Sequence, residues 1–198
     1  DRFGKGHHIH LYTATIDPDK ALALQDAGLD EIRFHPPESV WTDMGRTKLK
    51  ETVAALRIDV GIEVPALPGK ERELNALVAY AKDAGVDFVN LNELEFSESN
   101  WDMMDAHGYS VRDELSSAVA GSRETAMAVL KANRRANVHF CSSTFKDGVQ
   151  LRRRLIRRAE HTAKPYQQVT EDGTIVRGYL YSDDLAAAED ALRSFGVP

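Results

Sequence analysis

The most constraining feature of this chain is a period of two. Residues 8–12 (HIHLY), 31–35 (EIRFH), 60–64 (VGIEV) and 88–92 (FVNLN) are short runs in which apolar and polar side chains alternate. Ile9 and Leu11 alternate with His8, His10 and Tyr12, and Ile32 and Phe34 with Arg33 and His35. Ile62 and Val64 alternate with Gly61, Glu63 and Pro65, and Val89 and Leu91 with Asn90 and Asn92. Such alternation marks a β-strand, whose successive side chains point to opposite faces. Residues 18–27, 47–56 and 70–84 lie between these runs and have helical character. Asp17 is placed to cap the first of these helices, with Pro18 at its first position, and Gly28 and Gly85 close the first and third. Strands separated by helices predict a parallel sheet with crossover connections.

An internal echo supports this register. Residues 25–32 (QDAGLDEI) match residues 82–89 (KDAGVDFV): each is a helix end, a glycine free to take positive φ, and a strand start. After Asn92 the pattern loosens. Residues 99–107 and 122–136 read as helices, with Ser99 or Asn100 capping the first, and 138–142 (VHFCS) as a fifth strand. Residues 148–161 read as a basic helix with a solvated arginine face. Residues 166–170 and 174–181 form an expected hairpin around Glu171-Asp172-Gly173, and Ser182 is expected to cap a last helix over 183–195. The third strand is expected to stop at Pro65. The fold class this implies is α/β: a partial (β/α) TIM-type barrel with parallel strands, plus a carboxy-terminal hairpin and helix. Residues 1–161 would form the partial barrel and 162–198 an extension of the same domain.

The polar half of the alternation is unusual. Strands covered on both faces normally read as continuous Val, Ile and Leu, and a packed barrel interior is bulky and branched. Here the inner face would hold His, Arg, Glu and Asn, which cost several kcal/mol apiece to bury without partners. That face is expected to be wet or ligand-filled, as at the carboxy ends of barrel strands. A one-sided sheet with a solvent-facing polar side is the plainer alternative.

The candidate residues follow from this face. Arg33 and His35 suit clamping an anionic group, or Arg33 forms an inward ion pair with Glu63. Glu63 suits a base or an acceptor for a ribose or amine. Asn90, Asn92, Glu93 and Glu95 stand at or just past a strand end and suit hydrogen bonding to a polar ligand. His139 and Cys141 share a strand face and allow a nucleophile pair, against the commoner reading of a buried thiol. Residues 141–148 (CSSTFKDG) allow a weak phosphate cradle. His7, His8 and His10 allow metal ligation, but without a second ligand set no metal is assigned.

Composition bounds the rest. The chain has 198 residues, 42% of them hydrophobic, with a net charge of −6. That argues against a nucleic-acid surface. No run approaches the ~20 apolar residues of a membrane span. The single cysteine, Cys141, excludes an internal disulfide, makes the cytoplasm the default compartment, and cannot by itself hold an iron–sulfur cluster. The chain opens on Asp1 without a Met or a leader pattern, so it is expected to be part of a longer protein.

In order along the chain, residues 9–13 (IHLYT), 30–36 (DEIRFHP), 61–69 (GIEVPALPG), 90–95 (NLNELE), 138–143 (VHFCSS) and 146–152 (KDGVQLR) resemble radical S-adenosylmethionine proteins. The nearest group is the archaeal set related to pyruvate formate-lyase activating enzyme. The resemblance covers residues 8–181 and implies a partial (β/α)6 barrel of which this chain holds the carboxy-terminal part. It implies S-adenosylmethionine and a [4Fe-4S] cluster as cofactors. The cluster-binding C-x3-C-x2-C loop and the glycine-rich motif of the family are not in this sequence, so the cluster ligands are expected outside it. His10 and Tyr12 would lie on the third barrel strand. Arg33 and His35 would end the fourth, near ribose and carboxylate, Glu63 and residues 65–69 the fifth, beside adenine, and Asn90 and Asn92 the sixth. Glu93, His139 and Cys141 are the candidates for catalytic roles. The implied chemistry is reductive cleavage of S-adenosylmethionine to a 5′-deoxyadenosyl radical that acts on an unknown small or macromolecular substrate. An alternative is a small barrel lyase or aldolase acting on a carbonyl or phosphorylated metabolite through Glu63, His35 and Lys146. A module that binds a nucleotide-like ligand is a third.

Overall fold

A computed structural model describes residues 6–113 and 116–196. In chain order the elements are β1 (His10–Thr13), α1 (Pro18–Asp26), β2 (Glu31–Phe34), α2 (Leu49–Ala55), β3 (Asp59–Ala66), α3 (Glu71–Ala84), β4 (Phe88–Glu93), α4 (Trp101–Ala106), β5 (Val111–Asp113), β6 (Ser116–Val119), α5 (Ser122–Ala132), β7 (Val138–Cys141), α6 (Ser143–Phe145), α7 (Arg152–Thr162), β8 (Gln168–Val169), β9 (Ile175–Val176) and α8 (Leu185–Ser194). The chain forms two compact units, residues 1–143 and 144–198.

The first unit holds a five-stranded sheet in the order β1-β2-β3-β4-β7, with every pair parallel. Spatial order equals chain order. With right-handed crossovers, such a sheet carries all its helices on one face, which is the winding of a β/α barrel. The covered face is dry: Ile32, Phe34, Val60, Ile62, Val64, Ala66, Val89 and Leu91 are buried and pack with Leu74, Leu77, Val78, Ala126 and Val129 of α3 and α5. The other face carries the polar half of each alternation.

Local signals hold where they were strongest. Asp17 caps α1 by accepting from the Asp19 and Lys20 N–H groups. Gly28 and Gly85 take φ of 97° and 83° at the two echoed helix ends, a conformation costly for other residues. Three expectations are corrected. β3 runs through Pro65 to Ala66; β2 pairs with β3 only as far as Ile62, so Pro65 sits where that side of β3 is an edge and a missing N–H is tolerated. The cap of the last helix is Asp184, not Ser182: its carboxylate accepts from Ala186 and Ala187 N–H, while the Ser182 hydroxyl bonds to Asp184 O. Residues 111–113 and 116–119 pair as two antiparallel strands, β5 and β6, that the sequence reading did not anticipate, because strands of three and four residues carry too few alternations to register.

A π-helical turn (Lys146–Leu151) leads into α7, whose arginines are exposed as expected. The short hairpin β8–β9 turns at residues 170–174, and α8 follows. The Asp172 carboxylate accepts from the Thr170 hydroxyl and the Thr174 N–H within that turn, and these bonds hold its pKa down to about 2.

Candidate functional site

Register decides which polar side chains can meet. Pairing aligns His10 with Glu31, Tyr12 with Arg33 and Gly61, Glu63 with Asn90 and His139, and Asn92 with Cys141. In a parallel sheet such cross-strand partners share a face, so all of these project from the open side.

They form a connected network. The Arg33 guanidinium donates through Nη1 to Glu63 Oε2 at 2.7 Å and to the Tyr12 hydroxyl at 3.0 Å, and through Nε to Glu31 Oε1. Its carbon lies 5.3 Å from the Tyr12 ring centre and 5.2 Å from that of Phe88. Two carboxylates and two aromatic faces thus fix one cation, an arrangement worth more than a single exposed pair. Phe88 reaches this position across Gly61: a β-carbon at residue 61 would stand 2.3 Å from the Phe88 ring. Gly61 is the gap through which the ring slides under the guanidinium.

Glu63 is the centre of the network. Its Oε1 accepts from Asn92 Nδ2 at 2.8 Å, and Asn90 Nδ2 reaches Asn92 Oδ1 at 3.5 Å. Burial pushes the Glu63 carboxyl up, but hydrogen bonds from Asn92, Arg33 and Asn90 outweigh it and hold the group below the ordinary glutamate range. Glu31 follows the same pattern, with burial overcome by Arg33 and His8. Tyr12 is pushed up, by burial first and then by the nearby Glu63 charge. Arg33 is raised, because its bonds to Glu31 and Glu63 outweigh burial. The site therefore holds two ionised carboxylates around a fixed cation. Carboxylates in that state can accept hydrogen bonds, and Glu63 is a poor proton acceptor at neutral pH.

Not every expected residue joins this group. Glu93 belongs to the opposite face. It pairs with Ala66 on the covered side, its side chain is 0% exposed, and it accepts from Arg112 Nη1 at 2.7 Å and from the Ser143 N–H at 2.7 Å. Beside it the buried Ser122 hydroxyl donates to Ala66 O and accepts from Leu94 N–H, tying α5 to the ends of β3 and β4. The His35 side chain is exposed, and only its backbone N–H is engaged, by Thr13 O. His139 is exposed and bonds Asn137 through Nε2, and Cys141 is half-buried on the same face. Lys146, needed by the lyase alternative, lies in the second unit. Glu31, Phe88 and Gly61 were missed as site residues. The signal for Glu31 was present, since it shares the parity of Arg33.

A singly wound parallel sheet whose open face gathers carboxylates and carboxamides around an anchored guanidinium is the arrangement of a partial β/α barrel with a polar face. The resemblance to radical S-adenosylmethionine activating enzymes is borne out by a curated relative. The chain is 40% identical over 186 residues to a protein of Methanocaldococcus jannaschii named "Putative glycyl-radical enzyme activating enzyme", a match that covers 89% of this chain and 49% of that protein. The chain thus spans about half the length of the curated relative it matches. No family model matches it. A crystal structure of a "putative phosphonomutase" from Burkholderia cenocepacia aligns at a TM-score of 0.44 and 14% identity, over 77% of this chain and 62% of that one.

Proposed function

We propose that this chain is the carboxy-terminal barrel portion of a radical S-adenosylmethionine activating enzyme, and that its polar sheet face holds S-adenosylmethionine. The observation that carries this reading is the convergence of Arg33, Glu63, Asn90 and Asn92 on one face of a chain 40% identical to a glycyl-radical activating enzyme. The residues fit the ligand: Glu63 accepts from an ammonium or ribose hydroxyls, Asn90 and Asn92 offer amide donors and acceptors to the adenosyl group, and Arg33 holds Glu63 in place. They do not fit the [4Fe-4S] cluster, because one cysteine cannot supply its ligands. Those ligands belong to sequence outside this chain. The cluster would supply the electron that cleaves S-adenosylmethionine; this chain binds, orients and shields the adenosyl group. The substrate in this reading is a glycyl-radical protein, and the setting is the cytoplasm.

The test has two arms. Titration calorimetry of the 198-residue chain with S-adenosylhomocysteine should give saturable binding that weakens more than tenfold in Glu63→Gln. Anaerobic reconstitution of a longer protein carrying this segment with a cysteine triplet should yield 5′-deoxyadenosine under reduction. A loaded cluster that yields none would sink the proposal.

A further inference from the structure

The amino edge of the sheet carries a second constellation, away from the strand ends where Glu63 and Asn92 meet. His8 and His10 stand two residues apart at the start of β1, and Glu31 is the register partner of His10 on β2. One nitrogen from each ring and one carboxylate oxygen of Glu31 all lie within 4.8 Å of one another. Three ligand-type atoms from two neighbouring strands converge there, one His-x-His pair and one carboxylate.

We propose that His8, His10 and Glu31 bind a divalent ion of the zinc class, with a fourth position open to water. The donor set is two imidazoles and a carboxylate, which suits zinc and its neighbours and recurs in three-ligand zinc sites. The spacing suits it as well. Metal–nitrogen and metal–oxygen bonds of about 2.0–2.2 Å place neighbouring ligands of a tetrahedral site about 3.3 Å apart. His8 Nε2 stands 3.1 Å from Glu31 Oε2.

The surroundings orient the ligands. Arg33 Nε occupies Glu31 Oε1 and leaves Oε2 turned toward His8, the kind of outer partner that ligating carboxylates have. The His10 ring is held edge-on to Tyr12, with centroids 5.2 Å apart at 87°. Both histidines are exposed, so an ion can enter from solvent. A simple His8–Glu31 ion pair would account for one contact but not for the approach of a His10 nitrogen to the same carboxylate. A shared ion accounts for all three residues.

The test is titration of the untagged 198-residue chain with Zn2+ and Co2+. Calorimetry should show one ion per chain, and bound Co2+ should develop the intense visible absorption of a four-coordinate site. His10→Ala and Glu31→Gln should each weaken binding at least tenfold, since even loss of an outer partner costs 10–100-fold in known sites. His107→Ala, at an exposed histidine bonded to Met103 O, should change nothing. Circular dichroism of each variant separates lost binding from lost fold. Absence of saturable binding, or binding unchanged in His10→Ala, overturns the site. Either result leaves the S-adenosylmethionine reading standing, because that reading is tested by S-adenosylhomocysteine binding and Glu63→Gln, which the metal titration does not use.

Discussion

Glu63 and Glu93 are carboxylates on adjacent strands, both largely buried, and they do opposite things. Glu63 stands on the open face with Arg33 and two carboxamides around it, its network continuing to Tyr12 and Glu31. Glu93 stands on the covered face, with one oxygen on Arg112 and the other on the Ser143 N–H. The first network stands on the face that the helices leave uncovered; the second is sealed and links β4, β5 and the chain leaving β7. A buried acid in a strand is therefore no sign of chemistry by itself. The face it occupies decides whether it can meet a ligand or only hold the fold.

That contrast can be broken from either side. The largest effect is expected from Glu93→Ala, which strips a buried acid from Arg112 and the Ser143 N–H. It should cost about 3–5 kcal/mol in urea unfolding. A stability within 1 kcal/mol of the parent would show that the covered pair is not structural. Gly61→Val should follow at about 1–3 kcal/mol, because the added side chain drives into the Phe88 ring. It should also weaken S-adenosylhomocysteine binding, as Phe88 leaves the Arg33 guanidinium. Glu63→Gln keeps the shape of the open face but removes its charge, so a smaller loss of about 1–2 kcal/mol is expected, against a greater than tenfold loss of ligand. An equal effect of Glu93→Gln on ligand binding would erase the distinction between the two faces.

Acid should act on the open face. Glu31 and Glu63 are held below the ordinary carboxylate range, so the stability they contribute is fully present above pH ~4.3 and is lost as pH falls through their lowered folded values. Unfolding measured from pH 6 downward should steepen below that point, and Glu63→Gln should flatten the profile. The smallest effect belongs to the second unit. Asp172, held down to about 2, should give the 170–174 turn its full support from neutrality to pH ~4, lose that support progressively below, and release the turn as pH falls through about 2. In Asp172→Asn, amide exchange at Thr174 should lose that acid dependence with little change in overall unfolding.

The alternation of Ile32, Phe34, Ile62, Val64, Val89 and Leu91 with polar residues was enough to place strands with one apolar and one polar face, and the helical stretches between them to make those strands parallel. The echoed glycines and the Asp17 cap placed the helix ends for the same reason: each depends on a few neighbouring residues. The same parity, followed one residue further, would have moved Glu93 to the side of Val89 and Leu91. Proximity along the chain sets Glu93 beside Asn90 and Asn92, but the pleat turns it to the covered face. The β5–β6 pair was not legible at all, its strands being too short to show a period.

What only the tertiary structure decided is which groups touch. Parity assigns a face; register assigns partners, and register depends on crossover lengths and packing summed over the whole sheet. Arg33 between Glu31 and Glu63, Phe88 sliding over Gly61, and Glu31 facing two histidines all depend on strands brought together by the helices between them.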